Sequence, residues 1–434
     1  MEWFLTVILF VVVACLLAHG MTRRVNLYQF PFLIGMITFG FILPQVPALA
    51  DDRFLPFGAY AKFVGFTILC LLMCWVGCLP RAEPFKMFRH AFSERRLLII
   101  AAIFSILGAY FYYALSRLPG DSVVGVQMSG ISVVYIFFAR LLCYGLVISA
   151  LCFARRFSLP ALVIICFDLV FYFDRIIVTG KRAETMELFM IFALAFWFYR
   201  GWLMPRSIAL ALVVLGPLVM SSMSDYRDIT RANDAPVWTD IANIDVIGNL
   251  ENLFSQGGPE VRNGILRIND ADSRMNFDYG KVHWNHLIYD FVPSQLLGTT
   301  FKNALMLPMP KLALDYMPLT GTTETGMADA FQSFWYFGAF KFLLLAYLVN
   351  RIWISANTGL FAAQVVYSLT IVPAIHSISH QTDWVLSAWV HMIIFLLPGL
   401  VYARLSSAEK EELIEDYGGL PPALTGRAQY ALAH

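Results

Sequence analysis

The stretch SLPALVIICFDLVFYFDRIIVTGKRAETMELFMIFALAFWFYRGW (158–202) sets two apolar runs on either side of a short charged turn. Lys181, Arg182 and Glu184 fall within four residues, with Arg175 just upstream, and the flanking runs are poor in charge. Each run approaches the roughly 20 residues that a helix needs to cross a hydrocarbon core of about 30 Å. The pair therefore reads as two spanning helices joined by a cationic turn, and similar runs recur along the chain. They place spans at 3–20, 28–49, 57–79, 97–116, 132–154, 158–174, 184–200, 206–222, 330–350, 356–375 and 383–403.

Composition agrees. The 434 residues are 59% hydrophobic and only 14% charged, and mean hydropathy is +0.66. Soluble domains carry about 25% charged residues. A transmembrane barrel would show alternating segments of about 10 residues, which are absent. The expected fold class is all-α: a polytopic membrane protein of about eleven helices with one large external loop. Residues 1–222 hold helices one to eight, 223–329 the loop, 330–403 helices nine to eleven, and 404–434 a tail. The tail reads as a short helix followed by a disordered end. A net charge of +1 gives no global field to attract nucleic acid. The N-terminus lacks a basic region before its apolar run and reads as a first span rather than a cleaved signal.

Charge sets the orientation. The connections at 22–24, 81–96, 154–157, 200–206 and 350–353 hold 12 Lys and Arg, whereas those at 50–56, 117–131, 175–183 and 376–382 hold five. The positive-inside rule places the first set in the cytoplasm, the N-terminus outside and the C-terminus inside. The turn at 175–184 is then external and cationic against the general bias. Arg175, Lys181 and Arg182 beside a helix start suit an anion, because guanidinium grips phosphate bidentately and a helix N-terminus adds free N–H donors.

The loop 223–329 carries eight Lys and Arg against fourteen Asp and Glu, with Trp238, Phe254, Phe277, Trp284 and Phe291 among them. It reads as short helices over the membrane surface. Its segment RMNFDYGKVHWNHLIYDFVPS (274–294) mixes Arg274, His283, His286 and Asp290 with aromatics. That mixture fits a sugar-binding face or, equally, an interfacial helix. Glu324, in TGTTETGMADAF (320–331), stands at a helix entrance as a cap or a base. HSISHQTDW (376–384) sets His376 and His380 four apart, as an ordinary polar turn or a surface base. Arg140 falls mid-span, where a cation is costly and is paired or functional; Asp168 is a candidate partner. Cys70, Cys74 and Cys78 share one helix face without His or carboxylate neighbours and read as packing. No phosphate-binding loop, dinucleotide fingerprint or HExxH is present.

TGKRAETMELF followed by FWFYRGW (179–202), LIYDFVPSQLLG (287–298), LPMPK (307–311) and TETGMADAFQSFWYFGAF (323–340) resemble the Wzy-type oligosaccharide repeat-unit polymerases, most of all the enterobacterial common antigen type. Ser294 and Gln295 depart from the family, which often has a basic or bulky aromatic residue there. The resemblance implies glycosyl transfer on the periplasmic face of the bacterial inner membrane. A glycan chain on undecaprenyl diphosphate would be the donor and a lipid-linked repeat unit the acceptor. It implies no metal or cofactor. A flippase and a chain-length regulator are the expected partners. Arg182 matches the family's G-x-R arginine; Arg140, Arg175, Lys181, Glu184, Arg274, His283, Asp290 and His380 are the further substrate contacts, and Glu324, His376 or His286 the base. A related ligase or a lipid-linked transporter are the alternatives.

Overall fold

The computed structural model describes residues 1–79, 83–118, 131–178, 180–231, 238–310, 323–406 and 409. Among them there is no strand, only one isolated bridge between Phe92 and Arg404. The first part comprises α1 (Glu2–Thr22), α2 (Phe30–Ala50), α3 (Ala59–Cys78), α4 (Glu94–Ser116), α5 (Ile131–Ala139), α6 (Leu141–Arg155), α7 (Leu159–Phe173), α8 (Arg182–Arg200) and α9 (Arg206–Arg231). Shorter helices follow: α10 (Trp238–Ile241), α11 (Val246–Gln256), α12 (Pro259–Arg274), α13 (Lys281–Phe291), α14 (Ser294–Leu297) and α15 (Thr299–Leu305). The chain returns through α16 (Gly326–Phe334), α17 (Ala339–Asn357), α18 (Phe361–Ser379), α19 (Asp383–His391) and α20 (Leu397–Ala403).

Nine stretches among the described residues are long and apolar enough to cross a membrane: α1, α2, α3, α4, α5–α6, α9, α16–α17, α18 and α19–α20. The sequence predicts eleven. The two not among the nine, α7 and α8, flank the cationic turn. α7 is 15 residues long and runs on through a π turn, Asp174–Val178, while α8 carries Arg182, Glu184, Glu187 and Arg200. Predicted boundaries also move: α17 runs to Asn357, past the predicted connection at 350–353, and α18 runs to Ser379, so that His376 lies in the helix and not in a turn. α9 continues to Arg231, well past residue 222, and α16 starts at Gly326, inside the predicted loop. The predicted tail helix lies outside the described residues except for Glu409.

Side chains on the exterior explain why these helices need a bilayer. Val7, Phe10 and Val11 on α1, Ile99, Ile103 and Ile106 on α4, Val163, Phe167 and Val170 on α7, and Leu210, Val214 and Leu215 on α9 are all exposed. Their spacing of three, four and seven residues makes apolar stripes facing outward, which water does not tolerate at this scale. Between helices the contacts rely on small residues, as expected where lipid is as apolar as leucine. A Cβ on Gly108 of α4 would come within 2.4 Å of the Leu142 amide on α6, and one on Gly145 within 2.1 Å of Ser105 Oγ. Cys70 and Cys74 pack into the core, buried.

The connections rich in Lys and Arg gather at one end of the bundle. Arg206 donates to the Thr22 carbonyl at 2.7 Å, Arg351 to the Glu83 carbonyl at 3.1 Å, and the Ser93 amide to the Ala403 carbonyl at 2.9 Å. The short helices α10–α15 cap the opposite end. Gln45 Oε1 accepts from the Val261 amide at 3.1 Å, Arg262 pairs with Asp52 at 2.6 Å, and Lys62 pairs with Asp272.

Gly108→Val should force α4 and α6 apart, at about 1–3 kcal/mol for overpacking. Gly65→Ala, whose Cβ would meet nothing within 4 Å, should be neutral or slightly stabilising. Thermal unfolding of the two purified variants in detergent checks this: a lower midpoint is expected for the first only.

Candidate functional site

A cavity of about 2080 Å³ opens inside the bundle beneath the short helices. Sites for single small molecules run to about 1,000 Å³, so this one suits a larger ligand. Arg140, Arg175, Lys181, Arg182, Glu184, His286, Asp290, Glu324, His376 and His380 all line it. These positions span 240 residues of chain and come from α8, α13 and α18 and from the turns and breaks beside α5, α7, α8, α16 and α18.

The backbone departs from regular helix where it meets the cavity. Phe41 lies in a π turn within α2, Arg175 in the π turn after α7, Met392 in the π turn after α19, and Pro373 inside α18. Arg140 occupies the break between α5 and α6. Each of these residues lines the cavity. At membrane depth such backbone is tolerated where it borders a cavity or is buried in protein.

The cations divide by environment. Arg175 pairs with Glu184 and lies 4.4 Å from the centre of the Tyr112 ring. Arg182 donates to the Met220 carbonyl at 3.4 Å, and Arg227 on α9 donates to the Met223 carbonyl at 3.1 Å. Gly180, at φ +60°, keeps the turn against Arg227: a Cβ there would meet its Cγ at 2.8 Å. Burial raises the pKa of the nearby Glu260, and Arg182 and Arg227 offset only part of that rise. The predicted partnership of Arg140 with Asp168 does not form. Asp168 is fully buried and accepts from Ser105 Oγ at 2.8 Å, on the side of α7 facing α4, whereas Arg140 faces the cavity.

His286 and Asp383 form the best-defined dyad. His286 Nδ1 lies 2.6 Å from Asp383 Oδ2. Donating this hydrogen bond to Asp383 raises the pKa of His286 more than burial lowers it. The neighbouring Asp290 accepts from Ser387 Oγ at 2.9 Å. Behind the dyad, Asp329 accepts from the Thr382 amide at 2.9 Å and from its hydroxyl. His283 Nε2 lies 2.7 Å from Thr382 Oγ1 and 3.2 Å from Lys341 Nζ, and burial lowers the pKa of His283. This buried network fixes α13 to the start of α19.

Two predicted contacts lie off the cavity wall. His283 belongs to the buried network, and Arg274 pairs with Asp270 at 3.1 Å one helical turn away. Glu324 does not cap α16, whose N-cap is Thr325; it pairs with Arg267 at 3.4 Å, and Arg267 also donates to Gln332 Oε1 at 2.7 Å. The rings of His376 and His380 lie tilted against Trp384, with ring centres 5.6 and 4.8 Å from it. Burial, then His376 and Arg182, push the pKa of His380 down to about 3. Arg227, Lys302, Glu187 and Asp383 also line the cavity and were not among the predicted contacts. Glu187, three residues after Glu184 on α8, was open to a spacing argument. Arg227 and Lys302 carried no local signal.

Compared with known proteins, the chain matches no family model, no curated sequence and no solved structure.

The dyad predicts a pH dependence. His286 has a raised pKa in the folded chain, so its contribution is complete below about pH 6.5 and fades as pH rises through the folded value. The unfolding midpoint of the wild type should fall from about pH 6 to pH 9 by more than that of His286→Gln. Equal slopes in thermal melts across that range would remove the dyad from the account.

Proposed function

We propose that the protein is a membrane glycosyltransferase that polymerises lipid-linked glycan repeat units. In this reading it moves a glycan chain from undecaprenyl diphosphate onto the non-reducing end of a repeat unit carried on a second undecaprenyl diphosphate. The observation that carries the proposal is the joining of Arg182 and its neighbouring cations with the His286–Asp383 dyad in one cavity. The cavity's size and its mixture of apolar wall and cations fit a lipid-linked diphosphate sugar. The resemblance of the segments around 179–202 and 287–340 to the Wzy-type polymerases points the same way.

The chemistry follows from the groups present. The acceptor hydroxyl attacks the anomeric carbon of the donor's first sugar, and the carbon–oxygen bond to the diphosphate breaks. Undecaprenyl diphosphate leaves with the electron pair. Arg182, Lys181 and Arg227 stabilise the negative charge as it develops. The hydroxyl proton passes to His286, whose Nδ1 is held by Asp383, so that Nε2 is the ring nitrogen left to receive it. Of the three predicted bases, His286 is preferred because Glu324 is engaged by Arg267 and His376 is buried. We further read α7 and α8 as the sixth and seventh of eleven spans, with Arg182, Glu184 and Glu187 of α8 sheltered on the cavity side. The N-terminus and the cavity mouth then face the periplasm of a bacterial inner membrane, and the C-terminus faces the cytoplasm.

Deleting the gene in its host should leave single-repeat surface glycan on a gel. Unattached long chains would indicate a ligase instead, and complete loss an exporter. Arg182→Ala should fail to restore long glycan, and His286→Ala should lower chain formation about 10²-fold or more. Long glycan made by Arg182→Ala, or labelling of a thiol at position 181 from the cytoplasmic side only, would overturn the assignment.

A further inference from the structure

Arg140 reaches the cavity because a helix breaks there. α5 ends at Ala139, α6 begins at Leu141, and the Cys143 amide turns back to the Arg140 carbonyl at 3.2 Å. A break of this kind leaves carbonyls of the preceding turn in need of donors. His391, 1% exposed, supplies one: its Nε2 lies 2.9 Å from the Phe137 carbonyl. A carbonyl only accepts, so Nε2 carries the hydrogen. Nδ1, 2.7 Å from the Tyr144 hydroxyl, is then the acceptor in the neutral ring. One imidazole on α19 thus clasps the last turn of α5 and the first turn of α6. The Phe137 and Phe395 rings pack on it at 4.8 and 4.7 Å between centres.

The clasp brackets Arg140 in sequence, three residues before it and four after. It also fixes depth. His391 is eight residues along α19 from Asp383, about 12 Å at 1.5 Å per residue. Arg140 is therefore held at the floor of the cavity, well below the His286–Asp383 dyad. Its side chain is exposed to the cavity, and among the described residues it has no ion-pair partner. A cation held so far inside a span is costly without a counter-charge.

We propose that Tyr144 and His391 are positioning residues that hold the α5–α6 break and so present Arg140 to an anionic group at the cavity floor. The proposal rests on the reading of the cavity as a lipid-diphosphate site. Glutamine carries a donor and an acceptor that can replace the two ring nitrogens; leucine carries neither.

The test is binding of geranylgeranyl diphosphate to the full chain in nanodiscs. Arg140→Ala should weaken binding about 10-fold or more, the value of a charge-assisted hydrogen bond. His391→Leu should weaken it as much although Arg140 is present, and His391→Gln should restore it to within about threefold. Arg140→Ala combined with His391→Leu should lose no more than Arg140→Ala alone, because both act through one group. Tyr144→Phe should fall between wild type and His391→Leu, and replaces it if that variant does not fold. The inference is overturned if His391→Gln binds as poorly as His391→Leu, if the two losses add, or if Arg140→Ala binds normally. Weakened binding by Arg182→Ala alone would sink the inference and leave the diphosphate reading standing. Normal binding by both arginine variants would sink both.

Discussion

Charge placed inside an apolar bundle needs a polar partner or a cavity, and the rest of this structure follows from that constraint. The exterior of the helices is striped with Val, Ile, Leu and Phe, so cations have nowhere to point but inward. The interior of a regular helical bundle has no room for them. The chain meets both demands by interrupting its helices where the charges lie: a break at Arg140, π turns at Phe41, Arg175 and Met392, and Pro373 within α18. Each irregularity frees backbone groups that would be costly in lipid, and each is turned toward the cavity. The cavity and the broken helices are one feature seen from two sides.

The short helices over the bundle complete this arrangement. They are fastened by polar contacts to the ends of the spans, through Gln45, Asp52, Lys62, Asp329 and Thr382. The fastening is dense at α13, where Asp329, Thr382, His283 and Lys341 form a buried network. A buried polar network is rigid when its members are satisfied and expensive when they are not. Here it sets α13 against α19, and His286 against Asp383, before any ligand arrives. Preorganisation of that kind lets a dyad act without being assembled at the moment of reaction.

The proposed chemistry needs two unlike things in one place, a group that accepts a proton and cations that accept a departing diphosphate. The dyad comes from the inserted helices and α19; the cations come from the turn before α8, from α9 and from the α5–α6 break. Neither set would serve without the other. The depth of Arg140, about 12 Å along α19 from Asp383, gives the cavity length as well as width, in keeping with a ligand that carries both a sugar and a lipid.

Hydropathy alone determined that the chain is helical and apolar enough for a membrane, because a run such as MEWFLTVILFVVVACLLAHG has no other stable place for its side chains. Local spacing also marked the cationic turn at 175–184 and the presence of helices in 223–329. What it misjudged lay where local pattern and packing conflict. α7 falls short of a span by its length of 15 residues and α8 by its charges, of which Arg182, Glu184 and Glu187 line the cavity, and α9 runs past its apolar segment to where Asp225 accepts from Asn249 on α11. Only the tertiary structure joined His286 to Asp383, 97 residues apart, sent Asp168 to Ser105 in place of Arg140, and brought Arg227 and Lys302 to the cavity. Such pairings depend on which faces of distant helices meet, and helix faces are matched by shape and small-residue contacts such as Gly108 on Leu142. That matching is a property of two segments together and is written in neither one.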